Sequence, residues 1–182
     1  MGSLSTYIII DFEATCTNAE EFDRDEMEII EFGVAAVDAT TLLPVAEFSS
    51  FVRPVRNPKL TEFCRQLTTI TQDDVDNAEE FSVVLDNFSD WLSAFEQPLF
   101  CSWGKYDFNQ LHRDCEYHGV DYPFASNDHV NLKQRFVKSR PIKMRQVGLA
   151  RAMKIAGIPL AGTLHRGIDD ARNMAKLLPL MF

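Results

Sequence analysis

The sequence predicts an α/β domain, a five-stranded mixed sheet flanked by helices on both sides. Three observations carry that prediction. Residues 6–11 read TYIIID, a β-branched and aromatic run without alternation, the pattern of a strand buried on both faces. Residues 80–95 place Phe81, Val84, Leu85, Phe88, Leu92 and Phe95 at helical spacing, so one stripe is buried. Strand-like segments followed by helix-like ones then favour a layered α/β arrangement, in which sites gather at the carboxyl ends of strands. A chain of 182 residues fits one domain and can bury a core without metals or disulfides as staples.

Residues 6–11 are expected to form the central strand, with Phe12 to Thr15 carrying it into a loop. Residues 18–28 hold six acids and one arginine and read as a solvated loop. Residues 28–38 (EIIEFGVAAVD) and 44–52 form the next two strands, joined by a hairpin at 39–43 into an antiparallel meander. Between 57 and 75, Pro58, Thr61, Thr68 and Thr71 punctuate two short helical turns, each begun by a threonine cap. The helix at 80–95 follows, then a short strand at 98–102 and a helix at 107–118 with Phe108, Leu111 and Cys115 on one face. Residues 129–132 (HVNL) are the fifth strand. A helix at 146–156 ends at Gly157 and Pro159, and the last helix spans 167–178. No internal repeat or low-complexity segment is present.

Apolar residues make up 46% of the chain, yet the longest apolar runs fall far short of a membrane span, so no membrane role is expected. The opening MGSLST matches the myristoylation pattern, but with so short a lead before the first strand it is read as chance, and no signal peptide is visible. Cys16, Cys64, Cys101 and Cys115 show no CxxC spacing, which points to free thiols, a reducing compartment and a cytoplasmic location. The net charge of -9 is unevenly spread: residues 1–128 carry 25 acids against 7 basic groups, whereas residues 129–168 carry 9 basic groups and no acid. That asymmetry predicts a cationic face on an acidic body, compatible with a polyanion despite the overall sign.

Asp11 and Glu13 lie two apart at the end of the central strand, so both carboxylates face one spot. Two like charges there are costly unless a cation compensates them; alone, the pair also fits strand-end residues in water. Asp107 follows the fourth strand at a helix start, where an Asp is often a cap. In HRGIDDA, residues 165–171, an imidazole stands five positions before Asp170 with Gly167 between them. That spacing suggests a base on a turn made mobile by Gly167, beside an acid held at a helix start. Taken singly, His165 is also compatible with an ordinary surface histidine.

The combination is more specific than its parts. D-x-E on the first strand, an Asp at a later strand-to-helix junction and H-x4-D before the last helix resemble the DEDDh 3′-to-5′ exonucleases, through DFEAT, SWGKYD and HRGIDDA. More narrowly, EIIEFGV and FCRQLTTITQDDVDNA resemble the histone-mRNA exonuclease branch and its bacterial relatives, over residues 7 to about 178. The resemblance implies a ribonuclease H-like fold with Asp11, Glu13, Asp107 and Asp170 as metal-binding acids and His165 as general base. Glu13 thereby stands with His165 in the catalytic set, and Asp169 stays unassigned. It also implies that main-chain groups around Glu13, Ala14 and Thr15, and the loop from Leu67 through Ile70 to Thr71, hold the 3′-terminal nucleotide. Some members carry a separate nucleic-acid-binding domain, for which no room is expected here.

The chemistry follows independently. Four carboxylates suit two Mg²⁺, with Mn²⁺ able to substitute, and disfavour zinc. Two such ions can activate a water and hold the leaving oxygen of an in-line displacement at phosphorus. His165 could take the proton of that water. Phe12, Ile70, Trp103 and Tyr106 are candidates for packing on bases, with core packing the competing reading for Phe12 and Trp103. Residues 133–145, six of thirteen basic, are either a solvated connection or a track for the phosphates of a single strand. The expected partner is the 3′ end of single-stranded or short structured RNA, with nucleoside monophosphates released. A DNA 3′ exonuclease and a catalytically silent nucleic-acid-binding scaffold are the alternatives. Protein partners are not legible.

Overall fold

The computed structural model describes residues 6–19, 21–126, 128–141 and 145–182. Five strands form one sheet in the order β3-β2-β1-β4-β5: β1 (Thr6–Ala14), β2 (Ile29–Asp38), β3 (Pro44–Phe51), β4 (Pro98–Ser102) and β5 (His129–Asn131). The first three are antiparallel neighbours, and β4 and β5 run parallel to β1, so the sheet is mixed. The TYIIID run is central because Ile8, Ile9 and Ile10 are all fully buried, as a strand covered on both faces requires.

Alternation along β1 sorts the two cores. Ile8, Ile10 and Phe12 join a cluster with Phe32, Phe81, Phe88 and Leu111, under α3 (Phe81–Leu92) and α4 (Tyr106–His118). Ile9 faces the other side, with Phe136, Met153, Met174 and Leu177 from α5 (Leu132–Lys138), α6 (Leu149–Ala156) and α7 (Gly167–Leu177). A smaller cluster gathers Ile30, Leu60, Cys64, Ile70 and Val75 beneath α1 (Glu62–Thr68) and α2 (Gln72–Asp76). Both short helices begin as the sequence implies: the hydroxyls of Thr61 and Thr71 accept from the Cys64 and Asp74 N–H groups.

Several boundaries and burials differ from expectation. Much of the basic stretch is helix rather than loose connection. Asn131 caps α5 by accepting from Gln134 N–H, and Leu132 and Phe136, four apart, are fully buried. Ile142, Lys143 and Met144 of that stretch, and the MGSLS start, lie outside the described residues. The helix expected from 146 begins at 149, because Gly148 at its N-cap is extended and leaves residues 145–148 outside it. Glu28, placed in a solvated loop, is 3% exposed and accepts the N–H groups of Val55, Arg56 and Asn57 at 2.8 Å each. Arg56 also pairs with the buried Asp114 of α4 at 2.8 Å and donates to Met27 O at 3.0 Å, so this cluster ties the end of the acidic loop to residues 55–57 and to α4.

Candidate active site

Asp11 and Glu13 share the parity of Ile9 and therefore face α7, while Phe12 between them points into the opposite core. The strand ends there with a bulge between Glu13 and Ala14. Asp107 comes from the first turn of α4 but is not its cap, since Lys105 holds that position. Its Oδ1 instead accepts the Phe12 N–H at 3.0 Å, fixing one carboxylate against the backbone between the other two.

Asp170 arrives from α7, and two glycines decide how close it comes. Gly33 stands opposite Asp11 in the β1–β2 register, and a Cβ added there would lie 1.8 Å from Gly167 C. A Cβ on Gly167 would lie 2.6 Å from Asp11 O. With neither side chain present, the start of α7 rests directly on the sheet, and its first turn delivers Asp170 beside β1. Gly167 is thus a buried contact point at a helix start; the expected role as a mobile hinge is replaced by close packing. Glu31, opposite Glu13 on β2 and 1% exposed, completes the seat. It accepts the Gly167 N–H at 2.9 Å and pairs with Arg166 at 3.0 Å.

His165 is exposed and has φ 60°, a left-handed conformation uncommon for a side-chain-bearing residue. Its N–H donates to Asp170 Oδ2 at 2.9 Å, which ties the turn to the acid. Asp169 steadies the same turn, accepting from Thr163 N–H at 2.8 Å and pairing with Arg172 at 3.3 Å. Asp11, Glu13, Asp107, His165 and Asp170 line one cleft of about 310 Å³ together with Phe12, Trp103, Tyr106 and Leu149.

The electrostatics of that cleft are unbalanced. Burial and the charges of Asp170, Glu31 and Asp107 push Glu13 up to about 9. Burial, then Asp107, Glu13 and Asp170, hold Asp11 well above the usual carboxylate range. Burial raises Asp107 to about 6 against the lowering effect of the Phe12 N–H, and it raises Asp170 also. Such a set calls for cations, and one atom is placed for them: Asp170 Oδ1 is buried without a hydrogen-bond partner among the described residues. Glu13, His165 and Asp170 each offer a ligand atom within 4.8 Å of the others. The carboxylate oxygens of Asp11, Glu13, Asp107 and Asp170 fit a hard divalent ion.

The residues proposed to touch the nucleotide divide. The Phe12 ring is 3% exposed and packs on Phe32 at 4.7 Å, and Ile70 is fully buried beside Ile30 and Val75. Neither ring nor side chain is free to stack on a base, and tertiary packing replaces that expectation for both. Ala14 and Thr15 are buried, with Thr15 hydrogen-bonded both ways to Glu28. Leu67 is partly exposed on α1 and is not among the residues lining the cleft. Trp103 lines the cleft while packing inward: its ring stands 5.9 Å from Phe136, and its Nε1 donates to Val147 O at 3.0 Å.

Glu31, Gly33 and Arg166 were not singled out as site residues. The available signal was an acid inside an otherwise apolar strand, EIIEFGV, which requires a buried partner.

Sheet order, a β1 acid pair and further acids from α4 and α7 define the class, a ribonuclease H-like nuclease. The exonuclease family model of the ribonuclease T type matches residues 8–178, and the chain belongs to that family. It is 33% identical over 177 residues to 3′-5′ exoribonuclease 1 of Homo sapiens, covering 93% of this chain and 50% of that protein. The chain thus spans about half the length of these curated relatives. The nuclease domain of 3′hExo, a DEDDh family member bound to rAMP, superposes with a TM-score of 0.86 at 31% identity, covering 97% of this chain and 91% of that one. A 3′-exonuclease in a structure of 3′-end-specific recognition of histone mRNA stem-loop gives 0.86 at 30% identity, with coverage of 98% and 81%. No helix among the described residues is long and apolar enough to cross a membrane.

Proposed function

We propose that residues 7–178 form a metal-dependent exonuclease unit that removes nucleoside monophosphates from the 3′ end of single-stranded or short structured RNA. The observation that carries this reading is the convergence of Asp11, Glu13, Asp107 and Asp170 with an exposed His165 in one cleft. The relatives' exoribonuclease names and the rAMP-bound neighbour support RNA over DNA.

In this reading the four acids hold two divalent ions, Mg²⁺ with Mn²⁺ as substitute, and the ions supply positive charge against the carboxylates and the phosphate. His165, free to reach solvent, accepts the proton of the attacking water as its oxygen bonds to phosphorus. The bond from phosphorus to the 3′ oxygen of the penultimate nucleotide breaks, leaving a shortened strand with a 3′ hydroxyl and a 5′ monophosphate. The N–H bond from His165 to Asp170 keeps base and acid in a fixed relation during that transfer. Trp103 and Tyr106 form the wall against which the terminal nucleotide rests. Four free thiols support residence in a reducing compartment such as the cytoplasm.

A time course on matched 5′-labelled RNA and DNA oligonucleotides, with Mg²⁺, Mn²⁺ or EDTA, tests the proposal. The expected result is a ladder shortening from the 3′ end, faster on RNA and abolished by EDTA. Hydrolysis that persists in EDTA, or products carrying a 3′ phosphate, would overturn it.

A further inference from the structure

Five arginines of this chain, Arg53, Arg56, Arg113, Arg166 and Arg172, each pair with a carboxylate. Among the described residues Lys105, Lys133 and Lys138 form no such pair, and Arg135 donates to Met181 O at 3.2 Å and lies over the Phe182 ring. Eight further described basic residues, among them Lys59, Arg65, Arg151 and Lys154, also form no such pair, but three of the unpaired cations meet in one place. Lys105, Arg135 and Lys138 line a second cleft of about 510 Å³, between β5, α5 and residue 181, whose other walls include Asn131, Gln134 and Ser139 and no acid.

The second cleft adjoins the first through one loop. Lys105 stands immediately before Tyr106, which lines the acidic cleft, and Lys133 reaches back to 3.7 Å from the site of a Gly104 side chain. The Lys133 charge is felt at Asp107. The loop itself is pinned, since Ser102 Oγ bonds both Gly104 O at 3.1 Å and His129 Nε2 at 2.9 Å. A strand leaving the acidic cleft over this loop passes from carboxylates to unpaired cations, whereas residues 1–128 carry 25 acids against 7 basic groups.

From this juxtaposition we infer that the cleft of Lys105, Arg135 and Lys138 is a phosphodiester site for the nucleotides 5′ to the one being removed. The inference rests on the exonuclease reading for its direction, because the acidic cleft must take the 3′ end. The recognition is of backbone phosphate by flexible ammonium groups and the exposed Gln134 and Ser139, so it predicts length dependence without base preference.

The test is fluorescence anisotropy of 5′-labelled oligo(rU) of two and twelve nucleotides, in EDTA so that no turnover occurs, with the full chain and its Lys105→Gln/Lys138→Gln variant. For single strands each neutralised phosphate contributes about 0.7 to the logarithmic salt slope, so losing two should lower the slope by about 1.4. Extrapolated from 1 M to 0.1 M salt, that is a roughly 25-fold weaker Kd for the twelve-mer, converging on the wild type at high salt. An unchanged slope and Kd for the twelve-mer would overturn the inference, as would equal losses for both lengths. Thermal denaturation of the variant confirms that it is folded. Because binding is read without hydrolysis, a wild-type chain that binds with this salt slope but cuts nothing in Mg²⁺ would refute the exonuclease reading and leave the phosphate site standing.

Discussion

Replacing Gly33 by alanine should disable the site without touching a carboxylate. The added methyl would stand 1.8 Å from Gly167 C, 2.1 Å from Ile168 N and 2.3 Å from Gly167 O, all backbone atoms that cannot rotate away. Gly33 is paired on both sides, to Asp11 and to Ser49, so the sheet cannot yield and the helix must. Reaching ordinary contact at 3.4 Å means a retreat of α7 by roughly 1.6 Å at that point, at an overpacking cost of about 3 kcal/mol. For a chain of this size that lowers Tm by about 6–12 °C. The retreat carries His165 and Asp170 away from Asp11 and Glu13, and misplacement of about 1 Å costs on the order of 100-fold in turnover. Thermal denaturation and a 3′-shortening assay on end-labelled RNA read the two effects separately. The corresponding Gly167→Ala change meets Asp11 O at 2.6 Å and Gly33 N at 3.0 Å, so its effects should be the smaller of the two. Wild-type Tm and turnover in Gly33→Ala would refute the claim that close seating of α7 builds the site.

His165→Ala should lower turnover by about 10²- to 10⁴-fold while leaving Tm within about 2 °C of wild type, because the side chain is exposed and only its backbone holds Asp170; full activity would remove it from the mechanism. Glu31→Gln should destabilise by about 2–3 kcal/mol and reduce turnover, since it breaks the Arg166 pair and weakens the bond to Gly167 N–H; denaturant unfolding with activity across the same samples checks it. In metal-free protein, Glu13 titrates near 4.5 when unfolded and about 9 when folded, so between those values the folded state holds the extra proton. Its stability contribution is therefore complete below pH 4.5 and is lost as pH rises toward 9, at about 1.4 kcal/mol per pH unit for one proton. Tm measured in EDTA should fall across that window and flatten on adding Mg²⁺; a rise with pH in EDTA would contradict the assignment of the cleft as an uncompensated acid cluster.

What could be read from the chain depended on how local its cause was. TYIIID announces a doubly buried strand by composition alone, and Thr61 and Thr71 announce helix starts by spacing. The acids that meet in the cleft were visible because each sits at the end of a strand or the start of a helix. Gly167 was misread because a glycine beside a histidine in a short turn suggests mobility, and only the register that sets Gly33 opposite Asp11 reveals a packing contact. Ile70 was misread for a similar reason: within LTTIT it seems an apolar residue in a polar loop, until Ile30 and Val75 close over it. Glu28 and Asp114, 86 positions apart, share Arg56, a grouping with no signature in local sequence.

The helix resting on Gly33 brings both His165 and Asp170 to a strand begun more than 150 positions earlier, and it covers Ile9, Ala35 and Val37 as it does so. A growing polypeptide, or a fragment cut anywhere before residue 165, therefore holds at most three of the acids, lacks His165, and has an uncovered apolar face. Assembly of the catalytic set is in this sense a late event in the chain's own history. In the exonuclease reading, remnants and unfinished products that end before residue 165 lack the full set of side chains that the reaction on RNA requires.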